Sequence, residues 1–171
     1  MKTQKCLEEK CNRNTRTYPY CWQHAELILK VKICKSKWLE NNLGLFAFSR
    51  NVEEFPRDPE MEKPIFKKNQ KIVRYEGEKL TKTELSERYD KTVDGEVTEG
   101  LGEYVLEYEH NKFIDASRIR CYTAYINDPN GLVKIPEKAN VKFSRKCWIK
   151  ALRDIYNGEE LLISYGNNYW K

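Results

Sequence analysis

Histidine is scarce in this 171-residue chain: only His24 and His110 occur, beside two methionines, six prolines and eight glycines. His24 sits among cysteines, so a Ser-His-Asp or Cys-His arrangement would rest on His110 alone, in turn chemistry beside Asn111. Conventional hydrolase chemistry is set aside on that ground. No GKS or GKT tripeptide exists to form a P-loop, and Gly100-Leu101-Gly102 lacks the third glycine and following helix of a dinucleotide fingerprint. No apolar run approaches the roughly 20 residues of a membrane span, and the opening MKTQKCLEEK has no apolar signal core. The expectation is an intracellular protein with no membrane partner. Asn-x-Ser/Thr is also missing, so the six cysteines are not expected to be a secreted disulfide framework.

What is present suits one compact domain with a small appendage: 40% hydrophobic and 33% charged residues. A net charge of +5 is too mild to imply nucleic acid by itself. Its distribution says more. Residues 1–38 hold nine basic and three acidic residues, whereas residues 90–109 hold seven acids and one lysine. Both runs read as solvated surface, or else as a basic head and an acidic patch that meets a cationic ligand.

Three cysteines crowd into the first 21 residues in the pattern Cys6-x4-Cys11-x9-Cys21-x2-His24. Two close pairs separated by a short loop suit a tetrahedral ion, each pair presenting two ligands from a tight turn. A structural Cys3His zinc module follows, since four protein ligands leave no open position for catalysis and so short a segment has little else to hold it folded. The competing account is an unstructured tail with reduced cysteines.

Along the rest of the chain, AELILKVKICKSKW reads as the module's exit and a first strand, and NNLGLFAFS as a turn and strand. Residues 50–68, with Pro56, Pro59 and Pro64, read as an irregular loop. QKIVRYEGEKL is a strand ending at Gly77, and Thr81-Lys82-Thr83-Glu84 is a capping box opening a helix with Leu85 and Tyr89 on one face. EYVLEYEHNKFIDASR reads as a hairpin turning near His110-Asn111, and INDPNG as a turn. VKFS, CWIKALRDI and ELLISYG are further strands, with a tight turn at Asn157-Gly158. Many short strands and few short helices predict a mostly β fold.

Several motifs, in order, resemble the SET domain, the lysine methyltransferase fold. KSKWLENNLGLFAF is similar to its opening, and IVRYEGEKLTKTELSERYD to the strand and helix that follow. FIDASRIRCYTAYINDPN resembles its "ID-A … R-F-I-N-H-S" segment, and NVKF with WIKALRDIYNGEELLISYGNNYW resembles its C-terminal motif. The matches cover roughly residues 31–171, which places a zinc module at 1–28 and a SET domain at 29–171, with an insert at about 80–112 and a catalytic segment at 113–171. The resemblance implies small curved β-sheets with a C-terminal pseudoknot, S-adenosylmethionine as cofactor and a lysine side chain as acceptor. A nuclear location follows from the family alone.

By the same resemblance Tyr165 of ISYG matches the catalytic tyrosine, and Tyr75 of RYEGE a second active-site tyrosine found in some members. Asn42-Leu43-Gly44, continuing into Leu45 and Phe46, stands where the family has G-x-G. Gly44 lets backbone approach the methionyl group, and Asn42 in place of glycine tolerates positive φ. Asn127 matches the cofactor-contacting Asn of "N-H", while Asp128 replaces its His, which puts the local hydrogen bonds and charge in question. Tyr125 is a further cofactor-side candidate. Tyr104 and Tyr125 are either channel or core residues, the alternation of a strand favouring core for Tyr104. Phe143 and Ile163 fall where the family limits methyl number, and because neither has a hydroxyl, di- or trimethylation is expected. Tyr169 and Trp170 either close the adenine side of the channel or pack as an ordinary C-terminus.

The acidic 90–109 run falls in the insert that walls the family's peptide groove, so it would attract a basic tail, a histone tail being the first substrate to try. The alternative function is a catalytically weak SET-like binding module, recruited through its zinc knuckle to nucleic acid or a protein. Residues 1–30, with Tyr18, Tyr20 and Trp22, are the segment that would contact nucleic acid.

Overall fold

The computed structural model describes residues 3–50, 63–93, 96–98, 102–131 and 133–166. Most of the proline-bearing loop, including Pro56 and Pro59, lies outside these residues. Strands dominate and helices are short, as the turn-rich sequence predicts.

Strand β1 (Gln4–Lys5) pairs antiparallel with β2 (Asn14–Thr15). Strand β3 (Thr17–Tyr18) then leaves the N-terminal segment and pairs in parallel with β12 (Arg120–Cys121). Helix α1 (Trp22–His24) runs into one π-type turn, Ala25–Leu29, closed by Lys30 at φ 54°. The expected direct passage into a strand is therefore replaced by a wound exit. It buries Ala25 completely and sets the buried Glu26 carboxylate 2.6 Å from Arg50 Nη2, while Leu27 and Ile28 remain exposed.

Strand β4 (Val31–Lys35) pairs antiparallel with β5 (Leu43–Ala47), Val31 opposite Ala47. The residue at positive φ in the intervening turn is Asn41, at 65°, and not Asn42. The turn closes through backbone bonds from Asn42 N to Leu39 O and from Ser36 N to Asn42 O, which fix the left-handed residue one place earlier than expected.

Two three-stranded sheets carry the middle of the chain. One has the order β13 (Val141–Ser144), β14 (Trp148–Ala151), β6 (Lys71–Arg74). The other has the order β10 (Val105–Glu109), β11 (Lys112–Asp115), β7 (Glu78–Thr81). Ile149 and Ala151 alternate inward along β14, and they join Leu45, Val73, Tyr122, Ile126 and Ile163 in one core. Helix α2 (Lys82–Tyr89) begins at the expected capping box. Thr81 Oγ1 accepts Glu84 N at 3.3 Å, and Thr81 N donates to Glu84 Oε2 at 2.8 Å. Leu85 packs with Leu80 and Phe113. Strands β8 (Lys91–Val93) and β9 (Glu96–Thr98) form a small hairpin, and the β10–β11 turn places Asn111 at φ 58°.

The last described segment holds its place by bridging rather than by a regular strand. Glu160 bridges Phe46, Leu162 bridges Asn127 in parallel, and Ile163 bridges Val141 in parallel. Residues 160–163 are thus held against both ends of the connection from Asn127 to Val141, the arrangement expected of a C-terminal pseudoknot. The Asn140 side chain splints it, donating from Nδ2 to Glu160 O at 2.8 Å and accepting Leu162 N on Oδ1 at 2.8 Å. A buried amide satisfied at both ends lets an irregular crossing survive inside a core.

Candidate active site

The pseudoknot brings Tyr165 against the chain that follows β12. Tyr165 O–H donates to Ile126 O at 2.6 Å, and its backbone N–H donates to Asp128 Oδ2 at 2.9 Å. The other oxygen of Asp128 accepts Asn130 N at 2.8 Å, so one buried carboxylate ties the 128–130 turn to the tyrosine. The carboxylate in place of the family's histidine therefore supplies local hydrogen bonds of its own.

A cavity of about 650 Å³ opens beside this turn, lined by Asn42, Leu43, Tyr125, Asn127 and Asp128 and also by Tyr104, Arg120 and Tyr165. A narrower cavity of about 90 Å³ lies between Tyr75, Tyr104, Phe143, Ile163 and Tyr165. Glu103, Tyr104, Ala124 and Tyr165 belong to both walls, so the two spaces meet there. Tyr75 O–H donates to Tyr104 O at 2.9 Å, and the Tyr75 and Phe143 rings meet edge to face at 6.2 Å. These contacts hold the narrow wall with little side-chain freedom. Cys121 lines neither cavity: burial pushes its thiol up, and its sulfur lies 2.9 Å from Thr123 Oγ1.

Gly44, Leu45 and Phe46 lie behind the larger cavity rather than in its wall. Leu45 is fully buried in the core, and a Cβ on Gly44 would stand 2.3 Å from Glu160 Oε1. Glycine at 44 thus makes room for a carboxylate. Glu160 accepts Ser36 Oγ at 2.9 Å, Lys37 N at 2.8 Å and Asn127 Nδ2 at 3.0 Å, and Asn127 Nδ2 also reaches Leu43 O at 3.1 Å. Sequence reasoning gave Glu160, Ser36 and Arg120 no role. The signal for Glu160 was a carboxylate between a glycine turn and the apolar Leu161-Leu162-Ile163, a position that needs donors. Tyr169 and Trp170 lie outside the described residues.

At the N-terminal end, Cys6 Sγ and Cys21 Sγ lie 3.4 Å and 3.6 Å from His24 Nδ1, and these atoms with Cys11 Sγ fall within 4.8 Å of one another. Tetrahedral zinc with Zn–S about 2.3 Å and Zn–N about 2.0 Å spaces its ligands by roughly 3.5–3.8 Å, so the donor set fits. Cys21 N donates to Cys6 Sγ at 3.3 Å, and all six cysteines are unbridged. The cluster is docked to the rest of the chain by the β3–β12 pairing and by Tyr122 O–H donating to Tyr20 O at 2.9 Å.

A small twisted-sheet domain, with a large cavity meeting a narrow aromatic one beneath a C-terminal pseudoknot, defines the class. The family model described as the SET domain matches residues 63–166, and this chain belongs to that family. Among solved structures it is similar to an active polycomb repressive complex 2 in the basal state, at 20% identity with a TM-score of 0.51, covering 81% of this chain and 15% of that one. It is also similar to ctPRC2 in complex with H3K27me3 and H3K27M, at 21% identity with a TM-score of 0.52, covering 81% of this chain and 14% of that one. These likenesses concern the fold, and the chain spans about a seventh of the length of the structures it resembles. No curated protein matches the sequence.

Proposed function

We propose that the chain is an S-adenosylmethionine-dependent protein-lysine N-methyltransferase acting on a basic segment, a histone tail first among them. The observation that carries this is the meeting of a cavity of about 650 Å³ with one of about 90 Å³ at Tyr104 and Tyr165. The larger falls in the size range of cofactor sites, and the smaller is an apolar slot for an extended side chain. When bound, the cofactor supplies a sulfonium methyl group.

The chain's own residues then have three tasks. A free lysine has a pKa near ~10.4, so at neutral pH only about one in a thousand is a neutral amine. Walls of Tyr75, Phe143 and Ile163 shed water and disfavour the ammonium. Tyr165, fixed through Ile126 and Asp128, keeps acceptor lone pairs on the phenol oxygen for the incoming nitrogen. Alignment of that kind contributes roughly 7–11 kcal/mol. No strong general base is needed when the proton leaves to water. Phe143 and Ile163 add no hydroxyl to the slot, which favours di- or trimethylated product.

The acidic 90–109 run favours a lysine- and arginine-rich partner, and the similarity to a ctPRC2 complex with H3K27me3 supports histone H3 as the first one to try. A histone substrate carries with it a nuclear location. Zinc held by Cys6, Cys11, Cys21 and His24 has a structural role, with residues 1–28 as its module and 29–171 as the methyltransferase domain. The test is methyl transfer onto core histones and a whole lysate, read by mass spectrometry, with Tyr165→Phe in parallel. Lysine methylation that disappears in the mutant supports the enzyme. No transfer by folded, zinc-loaded protein sinks it and favours the catalytically weak binding module.

A further inference from the structure

Arg120 is the one lysine or arginine lining the larger cavity among the described residues. Its guanidinium lies 3.6 Å from the centroid of the Tyr104 ring and 5.9 Å from that of Tyr125. The Nε is buried with no hydrogen-bond partner, and Arg120 forms no ion pair among the described residues. Two carboxylates share the wall: Asp128 has its two oxygens turned to Asn130 N and Tyr165 N, and Glu103 forms no ion pair with Arg120.

A guanidinium stacked by its face on a ring keeps its in-plane N–H edge for a planar acceptor, and carboxylate is the acceptor that matches this fork. The cavity therefore offers a pre-positioned cation to an anionic group of whatever occupies it. S-adenosylmethionine carries one such group, the carboxylate of its methionyl end.

We propose that Arg120, held flat by Tyr104, binds the methionyl carboxylate of S-adenosylmethionine and thereby sets the cavity's preference for the intact amino-acid cofactor. This rests on the methyltransferase reading. It makes Arg120 a specificity-determining residue and gives Tyr104 a second role, since the ring that walls the narrow slot also orients the cofactor's anchor.

The experiment compares equilibrium binding of S-adenosylmethionine and decarboxylated S-adenosylmethionine, by calorimetry, to the zinc-loaded full chain and to Arg120→Met and Arg120→Lys. The unmutated protein is expected to favour the carboxylated ligand at least tenfold. Arg120→Met should bring the ratio to within twofold by weakening S-adenosylmethionine alone, and Arg120→Lys should keep part of the preference. A ratio near one in the unmutated protein overturns the assignment without any variant. Equal weakening of both ligands by Arg120→Met also overturns it, since that result means only that the stack supports Tyr104. Failure of the unmutated protein to bind either ligand overturns the methyltransferase reading and this inference together. Binding of S-adenosylmethionine that ignores Arg120→Met overturns this inference alone.

Discussion

Asp128 Oδ2 accepts the backbone N–H of Tyr165 at 2.9 Å, across 37 residues of chain. The carboxylate that departs from the family's histidine is therefore a support for the tyrosine assigned to catalysis. Asp128→Ala takes the acceptor from the half-buried Tyr165 amide and from the exposed Asn130 amide, at a cost of about 1 kcal/mol, the low end for a lost hydrogen bond because water reaches both residues. The expected outcome is a lowered thermal midpoint together with a methyl-transfer kcat reduced at least tenfold. Asp128→Asn, which keeps one acceptor oxygen, should fall between. Unchanged kcat in a folded Asp128→Ala protein would mean that the Asp128 carboxylate does not position Tyr165.

Gly44 and Glu160 make a second coupled pair. A methyl group on residue 44 would sit 2.3 Å from Glu160 Oε1 and 3.2 Å from the Phe46 ring. The carboxylate has little room to yield, because Ser36, Lys37 and Asn127 all donate to it. Gly44→Ala should destabilise the protein by about 1–3 kcal/mol, the usual range for overpacking. It should also weaken cofactor binding through Asn127. Denaturant unfolding checks the first point and calorimetry the second.

Much of this arrangement was legible because the residues concerned lie in long contiguous motifs. Tyr165, Asn127, Phe143 and Ile163 follow from such runs, and the capping box at Thr81 follows from local chemistry that needs no tertiary partner. Other features depend on pairs far apart in sequence. Glu160 earns its place from Ser36 and Lys37, more than 120 residues away. The shift of positive φ from Asn42 to Asn41 is set by which carbonyls the turn closes on, a choice that composition does not encode. The two-residue β3–β12 pairing is too short to leave a periodic signal, so the N-terminal segment read as an appendage although it shares a sheet with the chain leading into the cavity wall.

Asp115 of the Ile114-Asp115-Ala116 motif gives the acid limb of stability a defined origin. Burial alone would raise its pKa, but hydrogen bonds from Ser117, Arg88 and Tyr89 outweigh burial and hold it below the usual carboxylate value. Glu78, hydrogen-bonded by the same Arg88, is held low as well. A depressed folded pKa stabilises the protein above the unfolded value, near ~3.9 for Asp, and that stabilisation is lost as pH falls through the folded value. The thermal midpoint should therefore be insensitive to Asp115 between pH 5 and 7, and drop below about pH 4. Arg88→Met leaves Asp115 buried beside fewer donors, so it should cost about 3 kcal/mol at neutral pH and start the acid limb at higher pH. An identical pH profile in Arg88→Met would show that Ser117 and Tyr89 suffice.

The slot's methyl capacity can be tested where Tyr75 and Phe143 meet edge to face at 6.2 Å. Phe143→Tyr adds a hydroxyl that holds a water or the amine itself, leaving less room for a second or third methyl group. The expected result is a shift toward monomethyl-lysine in a time course on histone substrate. The mutant's initial rate for the first transfer should stay within about threefold, a difference of roughly 0.6 kcal/mol. Unaltered trimethylation in the mutant would place the limit on methyl number elsewhere than Phe143.

Zinc removal should reach the cofactor cavity, and the route is short. The Cys6, Cys11, Cys21 and His24 cluster fixes the segment that carries β3, and β3 pairs with Arg120 and Cys121. Arg120 itself lines the larger cavity, and the chain runs on through the Tyr122–Tyr125 turn to bring Ala124, Tyr125 and Asn127 into the same wall. Tyr122 adds a second tie, its hydroxyl donating to Tyr20 O at 2.9 Å. Bound zinc commonly supplies several kcal/mol of folding energy to a module this small, and each kcal/mol moves the midpoint of a chain of this length by about 2–4 °C. Chelation should therefore lower the midpoint by roughly 10 °C or more and weaken S-adenosylmethionine binding, with one zinc per chain released. Cys11→Ser, which removes one ligand at the less buried side of the cluster, should give the same pair of effects in milder form. A metal-free protein that keeps its cofactor affinity while losing only the order of residues 3–24 would show that the docking through β3 is passive, and that the zinc module serves a surface of its own.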